Sequence, residues 1–179
     1  MTRAAVPELN QNRLLRDLAD LSRIGGRPDG GVDRVAWSES DLAARRWVQR
    51  RLADAGLHSR VDAAMNVFGS ASPERRRRLL IGSHSDSVAA GGRLDGAYGV
   101  VAALEVLRTL AETGDPAADH IELVDFADEE GVTFTCGYLG SKALVGELDP
   151  GALEAQIDLS GRPVRAVLEA GGADLDALH

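Results

Sequence analysis

Apolar positions recur along this chain with more than one period, and the changes of period divide it into elements. Across residues 8–24, Leu14, Leu15, Leu18, Leu21 and Ile24 fall three and four apart, one face of a helix that Gly25-Gly26 should end. Residues 25–37 are rich in Gly, Pro and Asp and read as a long loop. Ser38 with Asp41 three residues on predicts the start of a second helix, running to Ala55 and stopped by Gly56. Residues 57–62 and 66–69 are short extended pieces that pair as a hairpin in this reading. Leu79-Leu80-Ile81-Gly82-Ser83 is a short apolar run bounded by charge on one side and polar residues on the other, the pattern of a strand buried on both faces. Residues 97–112 carry Val100, Val101, Leu104, Leu107 and Leu110 at helical spacing before Gly114. Residues 121–126 are strand-like again, and 137–148 and 161–170 read as helical. Strand, helix, strand in this order is a βαβ unit. The expected fold class is therefore α/β, one domain with a parallel or mixed sheet flanked by helices.

At 179 residues the chain has room for one domain or a fragment of a larger one, and 44% hydrophobic residues suffice for a core. The 28 Asp and Glu against 20 Lys and Arg give a net charge of -8, which repels a phosphate backbone and argues against a nucleic-acid partner. A single cysteine, Cys136, excludes an internal disulfide and any cysteine-rich zinc module. That usage fits a reducing compartment, and the cytoplasm is expected. No apolar stretch approaches the roughly 20 residues a membrane span needs, and residues 1–12 lack the apolar block of a signal peptide. No membrane partner is expected. The four arginines at 75–78 read as a solvated loop.

In open α/β sheets ligands bind beyond the carboxyl ends of the strands, so the residues just after each strand matter most. Gly82-Ser83-His84-Ser85-Asp86-Ser87 closes the first strand, and Asp128-Glu129-Glu130-Gly131 comes after the second. Between them, Gly91-Gly92-Arg93-Leu94-Asp95-Gly96 brings a carboxylate to a helix start. Residues 115–158 hold eleven Asp and Glu against Lys142 alone, a local net of −10. Carboxylates packed together stay ionised only where a cation neutralises them. Imidazole plus carboxylate oxygens suits zinc, manganese, cobalt or nickel rather than calcium. Taken singly, His84 reads as a structural histidine, Asp95 as a turn residue and Glu129-Glu130 as a solvated loop tip; their joint placement at two strand ends favours ligands. His58 and His120 read as surface groups, and His179 as a frayed chain end. Cys136 has no histidine nearby in sequence to activate it and reads as a small buried residue rather than a nucleophile.

The stretch from Gly82-Ser83-His84-Ser85-Asp86-Ser87-Val88, through Gly91-Gly92-Arg93-Leu94-Asp95-Gly96 and Gly99-Val100, to Asp128-Glu129-Glu130-Gly131 and Gly140-Ser141 resembles the M20 metallopeptidase superfamily. Within it the sequence is most similar to the branch of N-carbamoyl-L-amino-acid hydrolases, β-ureidopropionases and allantoate amidohydrolases. The loop from Gly30 to Ser38, the run Asp41-Leu42-Ala43-Ala44-Arg45 and Asn66-Val67-Phe68-Gly69 look like the same branch. Ser87 stands where the family often has threonine, and Met65 where glycine is common. The resemblance implies two divalent ions, with His84 on one, Glu130 on the other and Asp95 bridging them. It implies Glu129 as the general base that takes a proton from the attacking water, and Asp86 as the group that orients the His84 imidazole. It also implies the first part of a zinc-peptidase-like catalytic domain, without the lid domain of the longer family members. Two further histidine ligands of the family, one in a motif like His-Ile-Glu-Gln-Gly, have no counterpart here. The expectation is a metal-dependent amidohydrolase half completed by a second chain or by self-association. The alternatives are a non-hydrolytic binding or scaffold subunit, and the remnant of a truncated gene.

Overall fold

Local capping sets the helix boundaries in the computed structural model, which describes residues 6–74, 78–134, 136–158 and 160–178. The Asn10 side chain accepts the Arg13 amide at 3.0 Å, and helix α1 spans Gln11–Arg23. Ser38 caps α2, Glu39–Asp54, by accepting the Asp41 amide. The Asp41 carboxylate does not close the reciprocal half of a capping box. It accepts the Trp37 amide instead, at 2.9 Å.

Strands β1 (His58–Val61) and β2 (Val67–Ser70) pair antiparallel, as the hairpin reading expects. Strand β3 (Leu79–His84) leads into helix α3 (Ala97–Glu112), a 3-10 turn (Pro116–His120) and strand β4 (Ile121–Phe126). Strands β3 and β4 are parallel, so β3-α3-β4 is the expected βαβ unit, while β2 runs antiparallel to β4. The sheet order is β1-β2-β4-β3, a mixed sheet. Its register sets His84 beside Phe126, and the two parallel strands therefore deliver their outgoing loops to the same rim.

Leu18 and Leu21 of α1, Val48 and Leu52 of α2, and Val100, Leu104 and Leu107 of α3 form one core with Val67 and Leu123 of the sheet. A second cluster joins Phe134, Leu139, Leu153, Val164 and Leu168 from the C-terminal elements. These are helices α4 (Leu139–Val145), α5 (Pro150–Glu154) and α6 (Val164–Gly171), and then a 3-10 turn, Leu175–Ala177. Helix α4 is shorter than the expected 137–148. Tyr138 enters it with φ 66° and Gly146 ends it with φ 73°, both left-handed. Pro163 at the N-cap delays α6, and α5 was not expected; Asp149 caps it by accepting the Gly151 and Ala152 amides.

Strand β3 departs from expectation. It is not buried on both faces: Leu79 is 66% and Leu80 37% exposed. Helix α3 packs against β3, and among the described residues only β4 pairs with it. An apolar run alone cannot say whether its neighbours are present. Of the four arginines, 75–77 lie outside the described residues. Arg78 is not solvated as read: its nearly buried side chain donates to the carbonyls of Ser72 and Glu74 at 2.8 and 2.6 Å.

Leu104→Ala empties a fully buried site between helices and sheet, and should cost about 3 kcal/mol in urea unfolding. Leu79→Ala, on the open strand, should cost less than about 1 kcal/mol in the same measurement. Equal losses would contradict the exposure of β3.

Candidate metal centre

His84 is the last residue of β3 and is buried at the rim. Its Nδ1 lies 3.1 Å from the Asp86 backbone carbonyl and 3.5 Å from Asp86 Oδ1. With Nδ1 engaged there, Nε2 turns toward Glu129, 3.5 Å from Oε2. Gly96, at φ 60°, packs against the ring; a Cβ there would lie 2.5 Å from both Cε1 and Nε2. The glycine thus lets the backbone of the Asp95 loop close over the imidazole.

Asp86 is fully buried, and its two oxygens accept the backbone amides of Glu129 and Glu130 at 3.3 and 3.2 Å. Asp86 therefore meets the ring through its backbone carbonyl, with the carboxylate 3.5 Å away, and anchors the Glu129-Glu130 turn through both carboxylate oxygens. Burial opposes its charge, yet the His84 hydrogen bond and the Arg45 charge hold its pKa below the usual carboxylate value. His84, Glu129 and Glu130 each offer one ligand atom within 4.8 Å of the others. Burial disfavours the charged imidazole, but the hydrogen bond and charge of Asp86 and the charge of Glu129 outweigh it and raise the His84 pKa to about 9. Glu130 is pushed up by burial and by the charges of Asp95, Glu129 and Asp86, against the pull of His84. Among the described residues no Lys or Arg forms an ion pair with Glu129 or Glu130. An imidazole nitrogen and two carboxylates lacking basic partners are a donor set that fits a divalent cation.

Asp95 is placed differently from the other four sequence candidates. It is exposed on the loop before α3, outside the three-residue cluster, although its charge reaches Glu130. His58 and His120 are exposed at the sheet end opposite His84, as surface groups should be. His179 lies outside the described residues. Cys136 has a free thiol but is only half-buried, not the buried residue expected.

Beneath the rim lies a charge network that periodicity did not single out. The buried Arg45 pairs with Asp41 at 3.1 Å and donates to the carbonyls of Met65 and Phe126 at 3.2 and 3.3 Å. Asp125 accepts the Ser85 hydroxyl at 2.8 Å, and its other oxygen has no hydrogen-bond partner among the described residues. Burial pushes the Asp125 pKa up to about 6 despite Arg45 and Ser85. Asp128, at φ 48°, accepts the Trp37 indole N–H at 3.2 Å, while Trp37 itself sits at φ 70°. Burial, with the charges of Asp86 and Asp41, raises Asp128 to about 7 against the Trp37 bond. The available sequence signals were the Asp41/Arg45 spacing of four on one helix and an aspartate inside the apolar run Leu123-Val124-Asp125-Phe126.

The sequence pattern of Peptidase family M28 matches residues 66–178. The chain belongs to that family. Family M28 shares a clan with the M20-like enzymes, in line with the resemblance read from the motifs. The N-carbamoyl-L-amino acid amidohydrolase of Geobacillus stearothermophilus is 38% identical over 169 residues, covering 93% of this chain and 41% of the relative. The allantoate amidohydrolase of Bacillus subtilis is 33% identical over 154 residues, covering 85% of this chain and 37% of the relative. A hydantoinase/carbamoylase family amidase from Burkholderia ambifaria superposes with a TM-score of 0.85 at 39% identity, over 94% of this chain and 42% of that one. The chain therefore spans about two fifths of the length of the relatives it matches.

An Asp125 pKa of about 6 in the fold, against roughly 3.9 unfolded, means that the folded state holds the proton more tightly. Its contribution to stability is complete below pH ~4 and is lost as pH rises through about 6. Asp125→Asn should therefore gain stability relative to the parent chain between pH 4.5 and 7, read from urea midpoints at each pH. Parallel pH profiles for the two proteins would refute this.

Proposed function

We propose that this chain carries the metal-binding part of a hydrolase that cleaves an amide, carbamoyl or ureido C–N bond in a small molecule. The supporting observation is the convergence of His84, Glu129 and Glu130 at one rim, with Asp86 already engaging the far side of the imidazole. Amidohydrolases of N-carbamoyl-L-amino acids and allantoate among the relatives support the substrate class. In this reading His84 and Glu130 would hold divalent ions drawn from zinc, manganese, cobalt and nickel, and Asp95, whose charge reaches Glu130, would join them as a further carboxylate ligand. Divalent cations in such a site lower the pKa of water toward about 7 and polarise a carbonyl.

The chain's own groups do the rest. The Glu129 carboxylate takes a proton from the attacking water as the oxygen bonds to the carbonyl carbon. It returns that proton to the leaving nitrogen as the C–N bond breaks. Asp86 holds the imidazole and the backbone of both glutamates still while charge moves.

The remaining ligands and substrate contacts come, in this proposal, from further polypeptide docked along β3, either a complementary chain or a second copy of this one. The open β3 edge, with Leu79 and Leu80 exposed beside it, supports that partner. The net charge of -8 weighs against a nucleic-acid partner, and no helix among the described residues is long and apolar enough to cross a membrane.

Calorimetric titration with Mn2+ and Zn2+ tests the metal centre. The chain should bind at micromolar or lower concentration, and His84→Ala should abolish binding; absence of binding to the parent chain defeats the proposal. Glu129→Gln should lower hydrolysis of an N-carbamoyl amino acid by the completed assembly at least ~100-fold. Undiminished turnover would point instead to a binding or scaffold subunit.

A further inference from the structure

Both candidate glutamates lie on the segment 127–140, and the two ends of that segment meet. The Gly140 amide donates to the Ala127 carbonyl at 2.8 Å, Leu139 to Asp128 at 3.1 Å and Tyr138 to Glu129 at 3.0 Å. Asn66, the residue before β2, sits at this junction and is fully buried. Its Oδ1 accepts the Ala127 amide at 2.9 Å, and its Nδ2 donates to the Gly140 carbonyl at 2.9 Å and to Asp62 Oδ2 at 2.8 Å. Asp62 Oδ1 in turn accepts the amides of Ala64 and Asn66 at 3.0 and 2.9 Å, which fixes the turn from which Asn66 projects. The fit at Gly140 is close. A Cβ there would overlap Asn66 Oδ1 and the Ala127 backbone. Asn66 forms hydrogen bonds with neither Glu129, Glu130 nor His84.

We propose that Asn66 is the positioning residue for the Glu129-Glu130 loop: its carboxamide clasps the two loop ends and holds both carboxylates toward His84. The side chain must offer an acceptor to one end and a donor to the other, which a carboxamide does and neither a carboxylate nor an aliphatic group can. Aspartate would set an oxygen against the Gly140 carbonyl, and a shorter residue would take the acceptor from the buried Ala127 amide and the side-chain donor from the Gly140 carbonyl. Asp86 holds the loop from the imidazole side and Asn66 from the opposite end, so the turn is fixed at both. The consequence for metal binding rests on the hydrolase reading. The clasp itself does not.

Amide hydrogen exchange and Co2+ titration, run on the same proteins, test the two parts separately. Asn66→Asp is the sharp variant and Asn66→Ser the milder one should the first not fold. Leu104→Ala serves as a control that lowers stability from the other core cluster. Either Asn66 variant should speed exchange of the amides at 127, 139 and 140 at least tenfold while α1 and α3 keep their protection. Co2+ affinity should fall about tenfold or more, the size of effect typical when a group supporting metal ligands is lost. The control should leave the relative protection of these amides unchanged and Co2+ affinity within about threefold. Parental exchange rates in the Asn66 variants, or equal loosening in the control, would overturn the clasp. Loosened amides with unchanged Co2+ affinity would overturn its role in placing the ligands. A parent chain that binds no Co2+ would remove the hydrolase reading and that role together, with the exchange rates still deciding the clasp.

Discussion

One buried carboxylate ties the site together. Asp86 accepts the backbone amides of Glu129 and Glu130 while facing the Nδ1 side of His84, so the loop after β3 and the loop after β4 share a single anchor. The parallel register makes this possible by ending both strands at the same level. Without the Asp86 carboxylate the Glu129 and Glu130 amides would lose their acceptor, and the imidazole would lose the negative charge 3.5 Å from Nδ1.

Charge is arranged around that anchor with little to spare. Arg45 is the cation common to Asp41, Asp86, Asp125 and Asp128, and it is buried with them. Burial in such company raises Asp41, Asp125 and Asp128, while Asp86, engaged by His84 and Arg45, is lowered. Breaking a pair of this kind leaves an uncompensated charge in a poorly solvated place, so the network constrains geometry more than it adds stability. Arg45 also reaches the Phe126 carbonyl, and so places the end of β4 from which the glutamate loop departs. The Asp86 charge adds to those of Asp95 and Glu129 in raising Glu130.

The open side of the sheet gives the other constraint. Among the described residues the strand carrying His84 has a paired neighbour on one side only, and its apolar residues Leu79 and Leu80 are in contact with solvent. A candidate centre whose histidine sits on an open strand can be joined by further groups arriving along that strand.

Helices α1, α2 and α3 were legible from apolar spacing and from caps and stops close in sequence, such as Asn10, Ser38 and Gly56, and strands β3 and β4 from short apolar runs although their pairing joins residues 42 apart. Short α4 and α5 were less so, since Tyr138, Gly146 and Asp149 decide their ends through backbone geometry that periodicity does not record. His84, Asp86, Glu129 and Glu130 could be named from residue type and position after a strand, and the structure brings those four together while leaving Asp95 on its own exposed loop. The role of Asn66 was not legible, because its partners at Ala127 and Gly140 stand 61 and 74 residues away. The sequence by itself determined which elements form and which chemical groups end the strands, for those depend on local propensity and pattern. Only the tertiary structure decided that β3 pairs with β4 alone among the described residues, that burial raises the pKa values of Asp125 and Asp128, and that a distant carboxamide bonds both ends of the glutamate loop. Burial, electrostatic environment and long-range hydrogen bonds are sums over neighbours that the chain acquires only by folding.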